Sequence, residues 1–163
     1  MVSFGHKRRV YMTGILLRTV LASVVLLVAV PAYTAELSSS ESQQEIVKII
    51  KDTWEKPGMV IDVAPISVVG DYAVAGWVEG QRGGRALLKR RGHGWSVILC
   101  SGDGIKSAAG LTAAGLPAAV AQEMEMALSR AEATLPAHVV ARFSLFEGSV
   151  PVENGAHADH HKH

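Results

Sequence analysis

The hydrophobic positions change period twice along the chain, from helical spacing to strand alternation and back to helical spacing. The first helical stretch is predicted over 43–55, where apolar residues recur every three to four positions. Ser42 and Glu45 stand at the spacing of a capping box, and Pro57 ends the stretch. The sequence therefore predicts an N-terminal helix ahead of the strands.

Strand-like alternation occupies the central part of the chain. Short β-branched and aromatic segments are separated there by glycine-containing turns, which is typical of antiparallel hairpins. The predicted strands cover 60–63, 66–69, 72–78, 85–90 and 95–100. The last three have short connections, so they are predicted to form an antiparallel meander.

Helical spacing returns in an alanine-rich region. A short helix is predicted over 104–114 with Asp103 as its N-cap, and a longer one from Pro117 to about 134. A last short helix or turn is predicted over 139–146. The order of helix, strands and helices indicates an α+β domain, with an antiparallel sheet that carries helices on one face. A cystatin-like or NTF2-like arrangement fits this order by analogy.

Residues 1–35 have the pattern of a secretory signal peptide. The segment contains four of the sixteen basic residues and none of the fifteen acidic ones. Its apolar run over 20–30 is short for a permanent membrane span, Pro31 interrupts the run, and Ala32 or Ala35 offers a cleavage position. We therefore expect export to the periplasm, with no stable membrane span after signal removal. The alternative is an uncleaved N-terminal anchor.

This signal defines the rest of the predicted organisation. Translation starts at either Met1 or Met12. Residues 36–41 are polar and are predicted to form a flexible mature N-terminus. A single α+β domain is predicted over 42–148, and a disordered histidine-rich tail over 149–163. The domain is long enough for one hydrophobic core and too short for two.

Removal of the signal reverses the sign of the net charge. The whole chain has a formal charge of +1. After residue 35, twelve basic residues remain against fifteen acidic ones, which gives −3. A chain of this charge lacks the basic footprint of a nucleic-acid-binding protein. We therefore expect no nucleic acid among its partners.

The chain has one cysteine, Cys100, so no internal disulfide can form. Cys100 ends an apolar strand-like segment, which favours its interpretation as a buried small hydrophobic residue. A redox role or a role as a metal ligand is the alternative, although no C-x-x-C partner accompanies it.

The C-terminal tail carries the strongest chemical signal. Four of the seven histidines lie within its last seven positions, and neutral imidazoles on a flexible segment are good ligands for Cu(II), Ni(II) and Zn(II). A carboxylate between them can add an oxygen ligand. The predicted metal ligands are His157, Asp159, His160, His161 and His163. The alternatives are incidental histidines on a solvated terminus, or the remnant of a cloning tag.

The remaining chemistry-bearing residues do not form a catalytic pattern. His93 and His138 stand alone and are predicted to be exposed polar residues. No serine has the G-x-S-x-G context, and Gly80–Gly84 lacks the lysine and hydroxyl residue of a phosphate-binding loop. We therefore expect that the protein is not an enzyme.

Several strand segments together resemble a family of small exported bacterial proteins, the copper uptake system-associated proteins. The segments that carry the resemblance are 70–77, 83–88, 95–103 and 142–148. The resemblance covers about residues 45–148. It implies a periplasmic protein of a Gram-negative bacterium with a link to copper handling, and it implies no catalytic residue or ligand set.

Two functions are therefore expected, and an envelope enzyme is kept as a third hypothesis because an α+β sheet can carry a site assembled from distant residues. The first is a periplasmic accessory protein that binds or passes copper, as Cu(II) or Cu(I), through the histidine tail, with an envelope copper transporter or metallochaperone as partner. Zinc or nickel would bind the same tail in vitro. The second is a non-metal module that docks a partner protein or a small ligand through its sheet face. A pocket lined by Trp77, Trp95 and Arg85 would favour the second.

Overall fold

A five-stranded antiparallel sheet in the order β1-β2-β3-β4-β5 forms the centre of the fold. The structure is a computed structural model, and it describes residues 31–92 and 94–152. The strands are β1 (Asp62–Val69), β2 (Tyr72–Glu79), β3 (Arg82–Arg91), β4 (Gly94–Ser101) and β5 (Ser149–Pro151). The helices are α1 (Pro31–Trp54), α2 (Ala108–Ala113), α3 (Ala118–Glu132) and α4 (Ala137–Phe143), and a 3₁₀ turn covers Asp103–Ile105. The predicted α+β class is confirmed.

The predicted meander is confirmed, and it extends one strand further towards the N-terminus. Each hairpin turn from β1 to β4 contains a glycine with φ between +57° and +59°, which L side chains rarely adopt. The segments predicted as separate strands over 60–63 and 66–69 form the single strand β1. Its register against β2 shifts between Val63 and Ile66, where Pro65 interrupts the regular pairing.

Helices cover both faces of the sheet, so the prediction of helices on one face was wrong. On one side, here the α1 face, Ile46 and Ile50 of α1 pack over Ala73 and Ala75 of β2. On the other side, the α3 face, Met124 and other residues of α2 and α3 pack over neighbouring positions of the same strands. The cause is visible in β2 and β3, which bury several consecutive residues in place of an alternation.

The start of α1 also differs from the prediction. The described part of the chain has α1 over Pro31–Trp54, so residues 36–41 lie within the helix. Ser42 and Glu45 do not form a capping box. The Ser42 hydroxyl accepts a hydrogen bond from Arg90 at 3.0 Å, and Glu45 Oε1 accepts one from the Trp95 amide at 3.1 Å. These polar residues connect α1 to the sheet.

After β4, the predicted helix over 104–114 is divided into a 3₁₀ turn and α2. Ser107 caps α2 by accepting a hydrogen bond from the Gly110 amide, whereas Asp103 was predicted as the cap. The helix predicted from Pro117 is confirmed as α3, and the short helix or turn predicted over 139–146 is the helix α4.

The chain then returns to the sheet. Strand β5 lies within 149–163, the segment predicted as a disordered tail, and Val150 pairs with Cys100 of β4. No helix within residues 31–92 and 94–152 has the length and apolar character needed to cross a membrane.

Candidate functional site

The predicted metal ligands of the tail all lie outside the described residues. These are His157, Asp159, His160, His161 and His163. Among residues 31–92 and 94–152, no group of three or more His, Cys, Asp and Glu side chains is placed to hold a metal ion. The tail site therefore stays a prediction from the sequence.

Cys100, the alternative metal ligand or redox residue, lies near the end of β4. It is 8% exposed, in agreement with its predicted burial. Burial raises the pKa of its thiol to about 11, because the thiolate would lose its hydration. Cys100 is therefore protonated at neutral pH. His138 is exposed on α4, as predicted, and His93 lies outside the described residues.

A cavity of about 310 Å³ opens on the α1 face, beside the C-terminal end of α1. We call it the α1-side cavity. It is surrounded by side chains from α1, from the segment between α1 and β1, from β2 to β5, and from the segments after α4 and β5. Its lining residues are Ile50, Trp54, Lys56, Met59, Ile61, Trp77, Glu79, Arg82, Cys100, Phe146, Val150 and Val152. Nine of these are apolar, so the wall is hydrophobic with one charged region.

Two aromatic rings form one part of this wall. The rings of Trp77 and Phe146 meet edge to face, with centroids 5.9 Å apart and planes at 82°. Gly84 of β3 makes room for them, because a Cβ at this position would lie 2.9 Å from Trp77 Cζ2 and 3.0 Å from Phe146 Cβ. Gly84 lies within β3, and its missing side chain allows the two rings to lie close to the sheet.

The charged region of the wall has an incompletely satisfied carboxylate. Arg82 Nη2 donates to Glu79 Oε2 at 2.5 Å, with the Arg82 side chain 72% exposed and the Glu79 side chain 14% exposed. The second oxygen, Glu79 Oε1, is buried and has no hydrogen-bond partner among the described residues. Such an acceptor is costly to leave unpaired, by about 1–3 kcal/mol. Lys56 adds a second cation to the wall.

The expected pocket of Trp77, Trp95 and Arg85 does not form. Trp77 lines the cavity, but Trp95 lies elsewhere on the α1 face, with the Arg90 guanidinium 4.4 Å from its ring centroid. Arg85 is in the interior on the α3 face. Arg85 belongs to the strand predicted over 85–90, and β3 carries its side chain inside.

Arg85 is the centre of a buried ion-pair cluster, which we call the Arg85 cluster. Its Nε and Nη2 donate to the two carboxylate oxygens of Glu132 on α3, at 2.6 and 2.9 Å. Its Nη1 donates to the Gly102 carbonyl oxygen and to Asp103 Oδ1, both at 3.2 Å. The ring of Phe143 on α4 lies 5.4 Å from the guanidinium carbon. This geometry joins β3 to α3 and α4.

Asp103 extends the cluster towards solvent. Its Oδ1 accepts a hydrogen bond from the Ser144 hydroxyl at 2.8 Å. That hydrogen bond, together with the charge of Arg85, lowers the pKa of the Asp103 carboxyl, against the opposing effect of burial. Asp103 is therefore a connector between the end of β4 and the end of α4, and not a helix cap.

Comparisons of the chain with protein-family models, with curated proteins and with solved structures found no match. The cavity is therefore interpreted from its own residues. Apolar walls of this size, with a few polar groups in one place, are typical of small-molecule sites.

Sequence patterns did not identify the α1-side cavity. Its lining residues are spread from position 50 to position 152, and none of them belongs to a ligand-binding motif. One sequence signal points to it: Glu79 stands at the end of an otherwise apolar strand, where a buried carboxylate is unusual.

Proposed function

We propose that this protein is an exported periplasmic accessory protein of copper handling, with no catalytic activity, and that its histidine tail captures the ion. The observation that carries the proposal is the grouping of four histidines and Asp159 in the last seven positions. Imidazole nitrogens favour Cu(II) over the other common divalent ions, so copper outcompetes zinc or nickel for such a tail. The resemblance of the strand segments to the copper uptake system-associated proteins supports the same function.

In this proposal the folded domain presents the tail to a partner. The captured ion passes to an envelope copper transporter or metallochaperone. The buried thiol of Cys100 is protonated at neutral pH, so it is a poor ligand for Cu(II) in the folded protein. The tail therefore carries the capture step.

The test is a titration with Cu(II) and Zn(II) in the presence of a competing chelator. The variant replaces His157, His160, His161 and His163 by alanine in the full chain. The matched control is His138→Ala, which removes one exposed histidine from α4. We expect the tail variant to lose copper affinity by at least about tenfold and the control to retain it. Equal affinity in the tail variant and the unchanged protein would contradict the proposal.

The α1-side cavity favours a second candidate function, a module that binds a small ligand on its sheet face. A cavity of about 310 Å³ is at the small end of the range for ligand sites. The two functions are separable, because ligand binding in the cavity should be unchanged in the tail variant. If the protein binds a ligand in the cavity but does not bind copper, only the second function remains supported.

A further inference from the structure

We propose that the α1-side cavity binds one small, uncharged amphipathic molecule with a hydrogen-bond-donating end. Its apolar body lies against Trp54, Trp77 and Phe146, and its hydroxyl or N–H group donates to Glu79 Oε1. This inference rests on the second candidate function, which it sharpens by naming the class of ligand. It does not depend on the copper proposal.

The size of the cavity sets the size of the molecule. A volume of about 310 Å³ corresponds to roughly ten water molecules at liquid density, which is the size of a one- or two-ring compound. A longer peptide or a folded partner does not fit inside it. The apolar wall would exclude a strongly polar compound, because its polar groups would have no partners there.

The state of Glu79 sets the polar end of the molecule. One carboxylate oxygen is occupied by Arg82, and the other is buried without a partner among the described residues. This oxygen is buried, so the Glu79 carboxylate must turn towards the cavity before a ligand hydroxyl or N–H group can donate to it. A ligand carboxylate would instead place a second acceptor beside it, so the free oxygen disfavours an anionic ligand.

The three tryptophans of the chain provide the measurement. Trp54 and Trp77 line the cavity, whereas Trp95 does not, although it lies on the same face of the sheet. Indole N–H signals in the nuclear magnetic resonance spectrum of the full chain can therefore report binding at two positions, with the third as an internal control. The probes are 2-naphthol, 2-methoxynaphthalene, which lacks the donor, and 2-naphthoate, which is an anion.

We expect 2-naphthol to shift the Trp54 and Trp77 signals saturably and to leave the Trp95 signal in place. 2-Methoxynaphthalene should bind at least about tenfold more weakly, because it leaves Glu79 Oε1 unpaired. Glu79→Gln should reduce this preference to a few-fold, and Glu123→Gln, at an exposed position on α3, should leave it unchanged. Val150→Trp, at the exposed wall of the cavity, should abolish binding of both probes.

The outcomes that overturn the inference are distinct from those that overturn the second candidate function. Equal binding of the two uncharged probes, or tighter binding of 2-naphthoate, would overturn the ligand class and leave a ligand-binding module. Absence of a saturable shift with every probe would overturn both. Binding that appears only in a chain ending at Val152 would also overturn the inference, because it would assign the cavity to the chain's own terminal segment.

Discussion

The two faces of the central sheet share the strands β2 and β3, but they differ in how completely a buried charged side chain is hydrogen-bonded. On the α3 face, the fully buried Arg85 donates hydrogen bonds to both carboxylate oxygens of Glu132. Residues of the helices α3 and α4 pack against this cluster. On the α1 face, Glu79 keeps one oxygen unpaired beside an open cavity. The charge on the α3 face is fully hydrogen-bonded, whereas the unpaired oxygen of Glu79 carries a desolvation cost that no described residue offsets.

The largest effect should come from the Arg85 cluster. Arg85→Met leaves the Glu132 carboxylate, 7% exposed, without its partner, and should lower the free energy of unfolding by about 3–5 kcal/mol. Urea denaturation of the variant measures this change. The double variant Arg85→Met, Glu132→Leu should recover most of the loss, because it removes both charges.

Arg130→Met is the matched control for that experiment. It removes an exposed arginine from α3 and should change the free energy of unfolding by about 0.5 kcal/mol or less. If Arg85→Met were as mild as this control, the cluster would not hold the α3 face and the comparison between the faces would fail.

A pair of glycine substitutions compares the packing of the two faces. On the α3 face, a Cβ at Gly76 would lie 2.7 Å from Phe143 Cζ and 2.9 Å from the Ala64 carbonyl oxygen. At Gly84 the nearest atoms belong to Trp77 and Phe146, which border the cavity and can shift into it. Gly76→Ala should therefore cost about 2–3 kcal/mol in the free energy of unfolding, and Gly84→Ala about 1 kcal/mol.

Urea denaturation of both glycine variants, with the indole N–H spectrum, tests this order. Gly84→Ala should move the Trp77 signal and Gly76→Ala should not. If Gly84→Ala lowered the free energy of unfolding more than Gly76→Ala, the cavity wall would be at least as rigid as the α3 face.

A further effect, which is confined to alkaline pH, concerns the thiol on the α1 face. The pKa of Cys100 rises from 9.0 to about 11 on folding, so between these pH values the folded state holds a proton that the unfolded state has lost. Stability should therefore fall as the pH rises, by about 1.4 kcal/mol per pH unit relative to Cys100→Ala. Unfolding free energies at about pH 8 and pH 10 measure the difference. An identical pH dependence in both proteins would mean that the thiol is hydrated.

The sequence was sufficient for the class of fold but not for the way its layers meet. Hairpin turns and strand alternation are local signals, so the meander from β2 to β4 could be predicted. The spacing of Ser42 and Glu45 matched a capping box, yet both side chains bond to residues about fifty positions away. The same chemistry that caps a helix can anchor it to a sheet, and local spacing does not distinguish the two.

The candidate site could be predicted even less, because it depends on distant residues. The strand predicted over 85–90 begins at Arg85, but no local pattern shows that β3 buries this side chain against Glu132, 47 positions later. The cavity needs β5, which no pattern indicated because it has only three residues. The histidine tail was accessible to sequence reasoning since its chemistry lies in consecutive positions.

The prolines in the first and last strands restrict how other chains can associate with this protein. β1 and β5 are the outer strands of the sheet, and each contains a residue without an N–H group, Pro65 and Pro151. An incoming strand would find an interrupted row of donors at either border, and the short β5 offers little length for pairing. Strand addition is therefore disfavoured, both for self-association into fibres and for recognition of an extended peptide.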